Sequence, residues 1–529
     1  MKILPSVTWG PVTLHRVLGG LGVFTGMWLG FANDVMHLPP LILFWPLGLA
    51  CLGRASLSCL SALRMGWLCS MAGGLATLYW LTLPVHNVGG LPWLPALGCA
   101  VVITACVTFA GGIFAAAAYQ WRNLPAWGQA ILLGIAWFLL EECGARILGF
   151  PWLSVSGALA AWPVMVQFAN VLGGYALAGV WTTAILLCAF GFLGRQRDIM
   201  LLAAGGILVI GLLSYGWRQL SALPISINAD NPDALEVLFV EGNIDQNQKW
   251  VPSFQRQTVD LYLTLTEQAL ATHPHKKPLI LWPETAMPFF FEENRLLTPR
   301  IRALVARSDA LLLLGAPGRE DNFTHTESKI YNRAFLLGKD GTTIGHYDKE
   351  HLVPFGEYLP EWLDWQFLEA LLQGVGVYSE GQSSAPLRQG NLALGVLICY
   401  EGIFPWLAQQ RVEDGATILA DISNDGWFGN TPAARQHLYL TILRAIEQNR
   451  WILRGTNTGI SAIVDTRGRL VLQGAQFTTQ TLWGRALLEN ESSLYHRCAP
   501  WLPLLATVFL LVLLLCFMVS RRNTQTLHP

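Results

Sequence analysis

The sequence predicts two structural classes in one chain, a polytopic α-helical membrane domain and an α/β domain outside the cytoplasm. Residues 1–220 are almost entirely apolar, residues from about 225 to 490 have the mixed composition of a soluble protein, and the last 30 residues are apolar again. Charged residues make up 13% of the chain, whereas an average soluble protein contains about 25%. The 529 residues suffice for two or three such regions, and we expect part of the chain to lie in lipid.

Eight stretches are candidate membrane spans, because a spanning helix needs roughly 20 mostly apolar residues. They are residues 14–32, 38–53, 65–84, 94–119, 126–141, 170–193, 199–217 and 499–519. The second and fifth are short, so seven or nine spans also fit the pattern. We therefore expect a membrane domain of about seven helices over residues 1–220, a soluble domain over 233–490 and a C-terminal membrane helix over 499–519.

Basic residues in the short loops predict the orientation, because lysine and arginine are enriched on the cytoplasmic side of membrane proteins. Eight spans place the following basic residues on that side: Lys2, Arg54, Arg64, Arg122, Arg195, Arg197, Arg521 and Arg522. Arg146, between the fifth and sixth spans, is the main exception. The soluble domain follows the seventh span and is therefore expected outside the cytoplasm.

Charge and cysteine usage narrow the possible functions. The net charge of −1 gives no support for a nucleic-acid partner. Of the ten cysteines, Cys399 is the one within the soluble domain, and the others fall in or beside the membrane spans. An unpaired thiol in an oxidising compartment favours a functional role. A buried, inert cysteine explains this observation equally well when it is taken alone.

Short apolar runs alternate with amphipathic stretches in the soluble domain, which predicts a sheet covered by helices. The predicted strands are residues 236–240, 279–282, 311–314, 333–337, 392–398 and 417–420. Helical periodicity is clear in residues 254–272 and 433–449. Two tripeptides, 339–341 and 466–468, each end in glycine between two strand-like runs and predict hairpin turns.

Three residues near predicted strand ends could carry chemistry. Glu284 follows a buried strand behind a proline, where a partly desolvated carboxylate suits a general base. Lys349 lies in a polar and aromatic loop, where a fixed ammonium could stabilise an oxyanion. Cys399 ends a strand, so its sulfur would project above the sheet beside the next backbone N–H group. A capping glutamate, an exposed lysine and an inert cysteine are the alternatives for each residue taken alone.

Together, Glu284, Lys349 and Cys399 resemble the Glu-Lys-Cys triad of the nitrilase superfamily. The surrounding sequence resembles the apolipoprotein N-acyltransferases more closely. The motifs are Glu-Gly-Asn-Ile-Asp-Gln at 241–246, Trp-Pro-Glu-Thr at 282–285, Lys-Glu-His-Leu-Val-Pro-Phe-Gly-Glu at 349–357, Cys-Tyr-Glu at 399–401 and Ser-Asn-Asp-Gly-Trp-Phe-Gly at 423–429. The membrane segments before and after the soluble domain also match, so the resemblance covers essentially the whole chain. Asp245 and Gly426 differ from the residues that are most common at these motif positions in the family. The conformation of the two loops that carry them therefore stays open.

The resemblance implies a nitrilase-like α-β-β-α sandwich and assigns roles to residues. Glu284 would be the base, Lys349 the oxyanion stabiliser and Cys399 the nucleophile. The supporting positions would be Trp250, Glu357, Tyr400 and Glu401. We expect neither a cofactor nor a metal.

The resemblance also implies an acyltransferase in the inner membrane of a diderm bacterium, with its catalytic domain on the periplasmic side. The acyl donor would be a phospholipid. The acceptor would be the α-amino group of the diacylglyceryl-cysteine at the N-terminus of an apolipoprotein. Transfer would pass through a thioester on Cys399 and would complete lipoprotein maturation.

Two apolar segments of the soluble domain are predicted to touch lipid or cover the acyl chain. Residues 360–377 are rich in tryptophan, leucine and phenylalanine, and residues 288–291 include three consecutive phenylalanines. Ordinary core is the alternative for both segments.

Two other functions compete with acyl transfer. A membrane-anchored amidohydrolase would use the same triad but pass the acyl group to water, and it would need at most one anchor. A transporter would place ionisable residues inside its spans. Glu141 and Glu142 are the obvious acidic candidates, and they fall at the end of a span.

Overall fold

The chain consists of two compact units. The structure is a computed structural model that describes residues 11–87, 89–193, 198–222, 227, 231–320, 328–358 and 378–526. The helical unit comprises Met1–Tyr79, Ala100–Gln219 and Arg497–Pro529, and the sheet unit comprises Trp80–Cys99 and Leu220–His496. The predicted apolar segment 360–377 lies outside the described residues.

Helices account for most of the described N-terminal region. They are α1 (Pro11–Gly30), α2 (Phe44–Arg54), α3 (Cys59–Leu78), α4 (Thr82–Asn87), α5 (Trp93–Gln120), α6 (Ala126–Leu148), α7 (Val155–Leu159), α8 (Ala169–Leu193) and α9 (Ile199–Ser221).

In the described part of the chain, five helical stretches are long and apolar enough to cross a membrane. They are Cys59–Asn87, Trp93–Gln120, Ala169–Phe192, Ile199–Ser221 and Leu494–Ser520. Each overlaps a span predicted from the sequence. Helices α1, α2 and α6 also coincide with predicted spans but are not among these five, so the count of eight spans stays a prediction.

Two six-stranded sheets form the sheet unit. Their strands are β1 (Ala234–Glu241), β2 (Leu279–Leu281), β3 (Leu311–Glu320), β4 (Lys329–Leu337), β5 (Thr343–Asp348), β6 (Leu387–Gln389), β7 (Leu392–Ile398), β8 (Ile418–Ser423), β9 (Ile452–Thr456), β10 (Ala462–Val464), β11 (Leu470–Gln473) and β12 (Gln480–Leu487). The strand orders are β12-β1-β2-β3-β4-β5 and β11-β10-β9-β8-β7-β6. Every predicted strand is present, and both predicted hairpin turns join antiparallel strands.

Alternate residues of the strands face different layers, as the two-residue period of a strand requires. Phe239 and Leu281 of the first sheet share a buried apolar cluster with Val396 and Ile398 of the second. The opposite face of the first sheet, including Ile280, packs against helical residues. The helices of this unit are α10 (Gln246–Lys249), α11 (Pro252–Thr272), α12 (Thr298–Ser308), α13 (Pro405–Glu413) and α14 (Ala433–Gln448). The result is the α-β-β-α sandwich that the family resemblance implies.

Strand direction brings the ends of several strands to one edge. Strands β1, β2 and β3 are parallel, and β5 points the same way because it pairs with β4, which is antiparallel to β3. In the second sheet, β7, β8 and β9 are parallel. Residues that directly follow β2, β5 and β7 are therefore well placed for a common site, since functional residues cluster beyond the carboxyl ends of parallel strands.

The C-terminal part continues from the sheet unit into two helices, α15 (Leu494–Cys498) and α16 (Leu502–Thr526). The stretch Leu494–Ser520 has a mean hydropathy of 2.9, the highest of the five candidate spans. This agrees with the predicted C-terminal membrane helix.

Candidate active site

Glu284 lies just beyond β2 and is 5% exposed. Its Oε1 atom accepts a hydrogen bond from Asn332 Nδ2 at 2.7 Å and lies 3.6 Å from Lys349 Nζ. Its Oε2 atom is buried and has no hydrogen-bond partner among the described residues. A buried carboxylate oxygen without a hydrogen-bond partner destabilises the folded state, and its presence therefore favours a functional role. Oε2 is therefore the atom of this side chain that is available to accept a proton.

The backbone around Glu284 is held by close packing against β3. Gly315 donates its N–H to the carbonyl of Pro283 at 3.2 Å. A Cβ atom on Gly315 would lie only 2.7 Å from Glu284 Cα, so glycine is required at this position. Thr285 has a φ angle of 49°, a left-handed conformation that costs about 1–3 kcal/mol. The segment is thus fixed rather than freely hinged.

Lys349 directly follows β5 and is 1% exposed. Its Nζ atom lies 2.9 Å from Glu357 Oε1, and Asn332 Nδ2 donates to the same oxygen at 2.8 Å. Burial disfavours the charged ammonium, but the carboxylates of Glu357 and Glu284 outweigh burial and hold the pKa of Lys349 above its ordinary value. Lys349 is therefore a permanently charged group beside Glu284.

Asn332 aligns the two carboxylates and was not identified from the sequence. Its two amide hydrogens go to Glu284 Oε1 and Glu357 Oε1, and its backbone carbonyl accepts from the N–H of Lys349 at 2.9 Å. The available signal was a pair of polar residues, Asn332 and Arg333, directly before the apolar run of β4, and both are buried. Buried amides of this kind need partners, and here the partners are two site residues.

Cys399 directly follows β7 and begins a 3₁₀ turn over Cys399–Ile403. Its φ angle is 56°, in the left-handed region that residues with a Cβ atom rarely adopt. Two contacts hold this conformation. Glu401 Oε2 accepts from the N–H of Ile398 at 2.8 Å, and His437 Nε2 lies 3.2 Å from the carbonyl oxygen of Cys399. Because that oxygen can only accept, His437 donates from Nε2.

The Cys399 side chain is partly buried and packs against the core between the sheets. Burial raises the pKa of its thiol well above the ordinary value, the charge of Glu284 raises it further, and Lys349 opposes the shift. Cys399 is therefore a protonated thiol at neutral pH. A nucleophilic attack requires a base to remove the proton during the reaction.

Glu401 and Tyr400 support the loops around the nucleophile. Glu401 is fully buried, and its Oε1 atom accepts from Tyr347 Oη and from the N–H groups of Glu350 and His351 at 2.8, 2.8 and 2.9 Å. One side chain thus joins the end of β7 to the loop that follows Lys349. Tyr400 is buried, and its ring packs edge-on against Phe404, 5.0 Å between centroids.

The remaining predicted residues have different surroundings. Glu357 is buried with the triad, as described above. Trp250 is 45% exposed and follows α10. The interpretation of residues 288–291 as an arm that touches lipid or covers the acyl chain is wrong for Phe289 and Phe291, because both are buried in the apolar cluster on the outer face of the first sheet. They are ordinary core, which was the alternative.

A group of potential metal ligands lies in β3 and β5. Glu320, His346 and Asp348 hold ligand atoms within 4.8 Å of one another. Arg333 already pairs with both carboxylates, at 2.8 Å from Glu320 and 2.6 Å from Asp348. Because the guanidinium supplies the positive charge, this cluster is an ion-pair network.

Comparison with known proteins identifies two matching families. A family model described as the apolipoprotein N-acyltransferase N-terminal domain matches residues 25–191. A model described as carbon-nitrogen hydrolase matches residues 244–489. The chain is also similar to the solved structure of Nit3 from Saccharomyces cerevisiae, a nitrilase-superfamily member, with 21% identity over 52% of this chain and 97% of that one and a TM-score of 0.38.

Two relatives match over nearly their full length. The apolipoprotein N-acyltransferase of Geobacter metallireducens is 33% identical over 491 residues, which cover 90% of this chain and 91% of the relative. The enzyme of the same name from Pseudomonas syringae is 30% identical and covers 87% and 90%. The apolar helices agree with these matches in describing a multi-pass membrane protein. The chain belongs to the apolipoprotein N-acyltransferase family.

Proposed function

We propose that this protein transfers an acyl chain from a phospholipid to the N-terminal α-amino group of the diacylglyceryl-cysteine of apolipoproteins. The names of the full-length relatives support the reaction. The observation that best supports this chemistry is the buried Glu284 Oε2 atom, which has no hydrogen-bond partner in the described part of the chain, in a site whose thiol has a raised pKa. A protonated nucleophile and a free base oxygen are what general-base activation requires.

In the first half-reaction, Glu284 Oε2 takes the thiol proton and Cys399 Sγ attacks the ester carbonyl of the phospholipid. The carbonyl oxygen becomes an oxyanion, which the Lys349 ammonium and the N–H of Tyr400 stabilise. The carbon–oxygen bond to the glycerol then breaks. The departing oxygen receives the proton from Glu284, so lyso-phospholipid leaves and a thioester remains on Cys399.

In the second half-reaction, the free amine of the acceptor attacks the thioester. Glu284 takes a proton from the nitrogen, the carbon–sulfur bond breaks, and the proton passes to the sulfur of Cys399. The products are an amide and the original thiol. Because an amide is much less reactive than a thioester, transfer runs forward without ATP.

The membrane segments suit these substrates. Moving a long acyl chain through water would expose many CH₂ groups at about 0.8 kcal/mol each, so a site at the membrane surface avoids that cost. We propose that residues 1–220 and 499–519 embed the protein in a bacterial inner membrane, and that residues 233–490 form the catalytic domain on the periplasmic side. The basic residues of the short loops support this orientation.

The test is the order of product release. We expect purified enzyme mixed with phospholipid alone to release a burst of lyso-phospholipid, close to one equivalent of enzyme, because the thioester forms before the acceptor binds. Quantification of lyso-phospholipid by mass spectrometry measures the burst. Release that requires the acceptor would favour a direct transfer in a ternary complex. Release that continues past one equivalent without acceptor would favour the amidohydrolase.

A further inference from the structure

A second lysine lies in the candidate site. Lys249, the last residue of α10, is 2% exposed. Its Nζ atom donates to the backbone carbonyl oxygen of Glu284 at 3.2 Å. An ammonium carries three N–H groups, and one neutral carbonyl does not compensate a buried charge. The buried Lys249 ammonium therefore requires a negatively charged group in the site to compensate its charge.

The segment that carries Lys249 is anchored to the loop after β8. Gln246 Oε1 accepts from Asn424 Nδ2 at 2.7 Å. Asn457 holds Ile244 through both backbone groups, accepting from its N–H at 2.9 Å and donating to its carbonyl at 2.8 Å. These bonds hold the segment that leads into α10 against residues that follow β8 and β9.

The charges of Glu284, Glu357, Lys349 and Lys249 balance only when Lys249 is protonated. Asp425 and Arg454 also act on Cys399, and these two residues form an ion pair with each other at 3.0 Å. With Cys399 as a thiol, Glu284 and Glu357 contribute two negative charges, and Lys349 supplies one positive charge that is already paired with Glu357. Proton transfer to Glu284 moves the second negative charge to sulfur, and attack moves it to the oxyanion. In each state, one negative charge lacks a cation unless Lys249 is protonated. An unbalanced buried charge is strongly unfavourable.

We propose that Lys249 is the second cation of this site, a positioning residue that balances the negative charge as it passes from Glu284 to Cys399 and to the oxyanion. This inference rests on the proposed function, which supplies the charge movement. The Lys249 charge stabilises the thiolate relative to the thiol, so its removal makes Cys399 harder to ionise.

The ionisation of Lys249 agrees with this role. Burial lowers its pKa to about 8, and the charges of Glu284 and Cys399 act in the opposite direction. Near neutral pH, where Cys399 is a thiol, the charge of Glu284 is the one that favours the ammonium. A thiolate at Cys399 would hold the proton on Lys249 more firmly.

The experiment measures alkylation of Cys399 by iodoacetamide against pH in the full-length protein, quantified by mass spectrometry of the peptide that contains Cys399. We expect Lys249→Met to slow alkylation near neutral pH about tenfold, the factor that one pKa unit represents, because Lys249 carries its charge there. Above about pH 8, where Lys249 loses its proton, the two profiles should converge. Lys249→Arg keeps the charge and should stay within about half a unit of the wild-type profile, on the same scale. The matched control, Lys277→Met, removes a surface lysine that pairs with Asp309 and should leave the profile unchanged.

A Lys249→Met profile that coincides with the wild-type profile would overturn the inference, as would a Lys249→Arg profile displaced as far as that of Lys249→Met. If Lys249→Met does not fold, as judged by its melting temperature in detergent, Lys249→Gln provides the same comparison. Alkylation needs neither phospholipid nor acceptor. Failure of the lyso-phospholipid burst in the wild type would therefore count against the proposed function and not against the charge role of Lys249.

Discussion

Cys399→Ser is expected to abolish acyl transfer while leaving the protein folded and inserted. The serine hydroxyl is much less acidic than the thiol, so a glutamate suited to deprotonate Cys399 activates it poorly. The change removes little volume at a partly buried position, and a large loss of stability is not expected. Transfer to a synthetic diacylated lipopeptide, with the melting temperature measured alongside, provides the readout.

The control for this variant is Cys498→Ser, which changes a cysteine of the helical unit. It should retain normal transfer. Wild-type rates in Cys399→Ser would show that the nucleophile lies elsewhere, and equal losses in both variants would point to a general effect of removing a thiol.

Lys349→Arg is expected to lose about a hundredfold to a thousandfold in rate even though the charge is kept, the loss typical of removing one oxyanion donor. The Lys349 ammonium is almost fully buried between Glu357 and Glu284. The planar guanidinium is larger and cannot take the same position against both carboxylates and the oxyanion. Initial rates at saturating phospholipid and acceptor measure the effect.

Lys339→Arg is the matched control, because Lys339 lies exposed in the hairpin between β4 and β5. It should keep full activity. Near-normal kinetics in Lys349→Arg would contradict the oxyanion role and would leave Lys349 as a partner of Glu357 only.

Local sequence patterns predicted the architecture of the sheet unit well. Apolar runs identified the six predicted strands. Five of them are buried parallel strands, which are continuous in hydrophobicity, and the sixth lies in β4, which is antiparallel to its neighbours. The outer strand β12 was missed because its residues are mostly half-buried and mix polar with apolar types. Its pairing with β1 joins residues as distant as Ala234 and Leu487, and a local pattern contains no information about such a contact.

The site residues that lie in sequence motifs could be predicted, whereas those that matter through long-range contacts could not. Glu284, Lys349 and Cys399 lie in distinctive sequence motifs beyond strand ends. The structure places Lys349 close to Glu284, as expected. Their catalytic roles stay predictions. Asn332 and Lys249 were missed because their importance arises from contacts with Glu284, 48 and 35 residues away along the chain. Phe289 and Phe291 were misread because an aromatic cluster in a loop does not reveal which side faces the core.

Mass spectrometry of the enzyme after incubation with phospholipid and no acceptor tests the Cys399 thioester most directly. The peptide containing Cys399 is expected to gain the mass of one acyl chain. The adduct should be released by hydroxylamine at neutral pH and lost when an acceptor lipopeptide is added. Release of lyso-phospholipid with no acyl group on Cys399, or with the acyl group on another residue, would contradict the thioester mechanism.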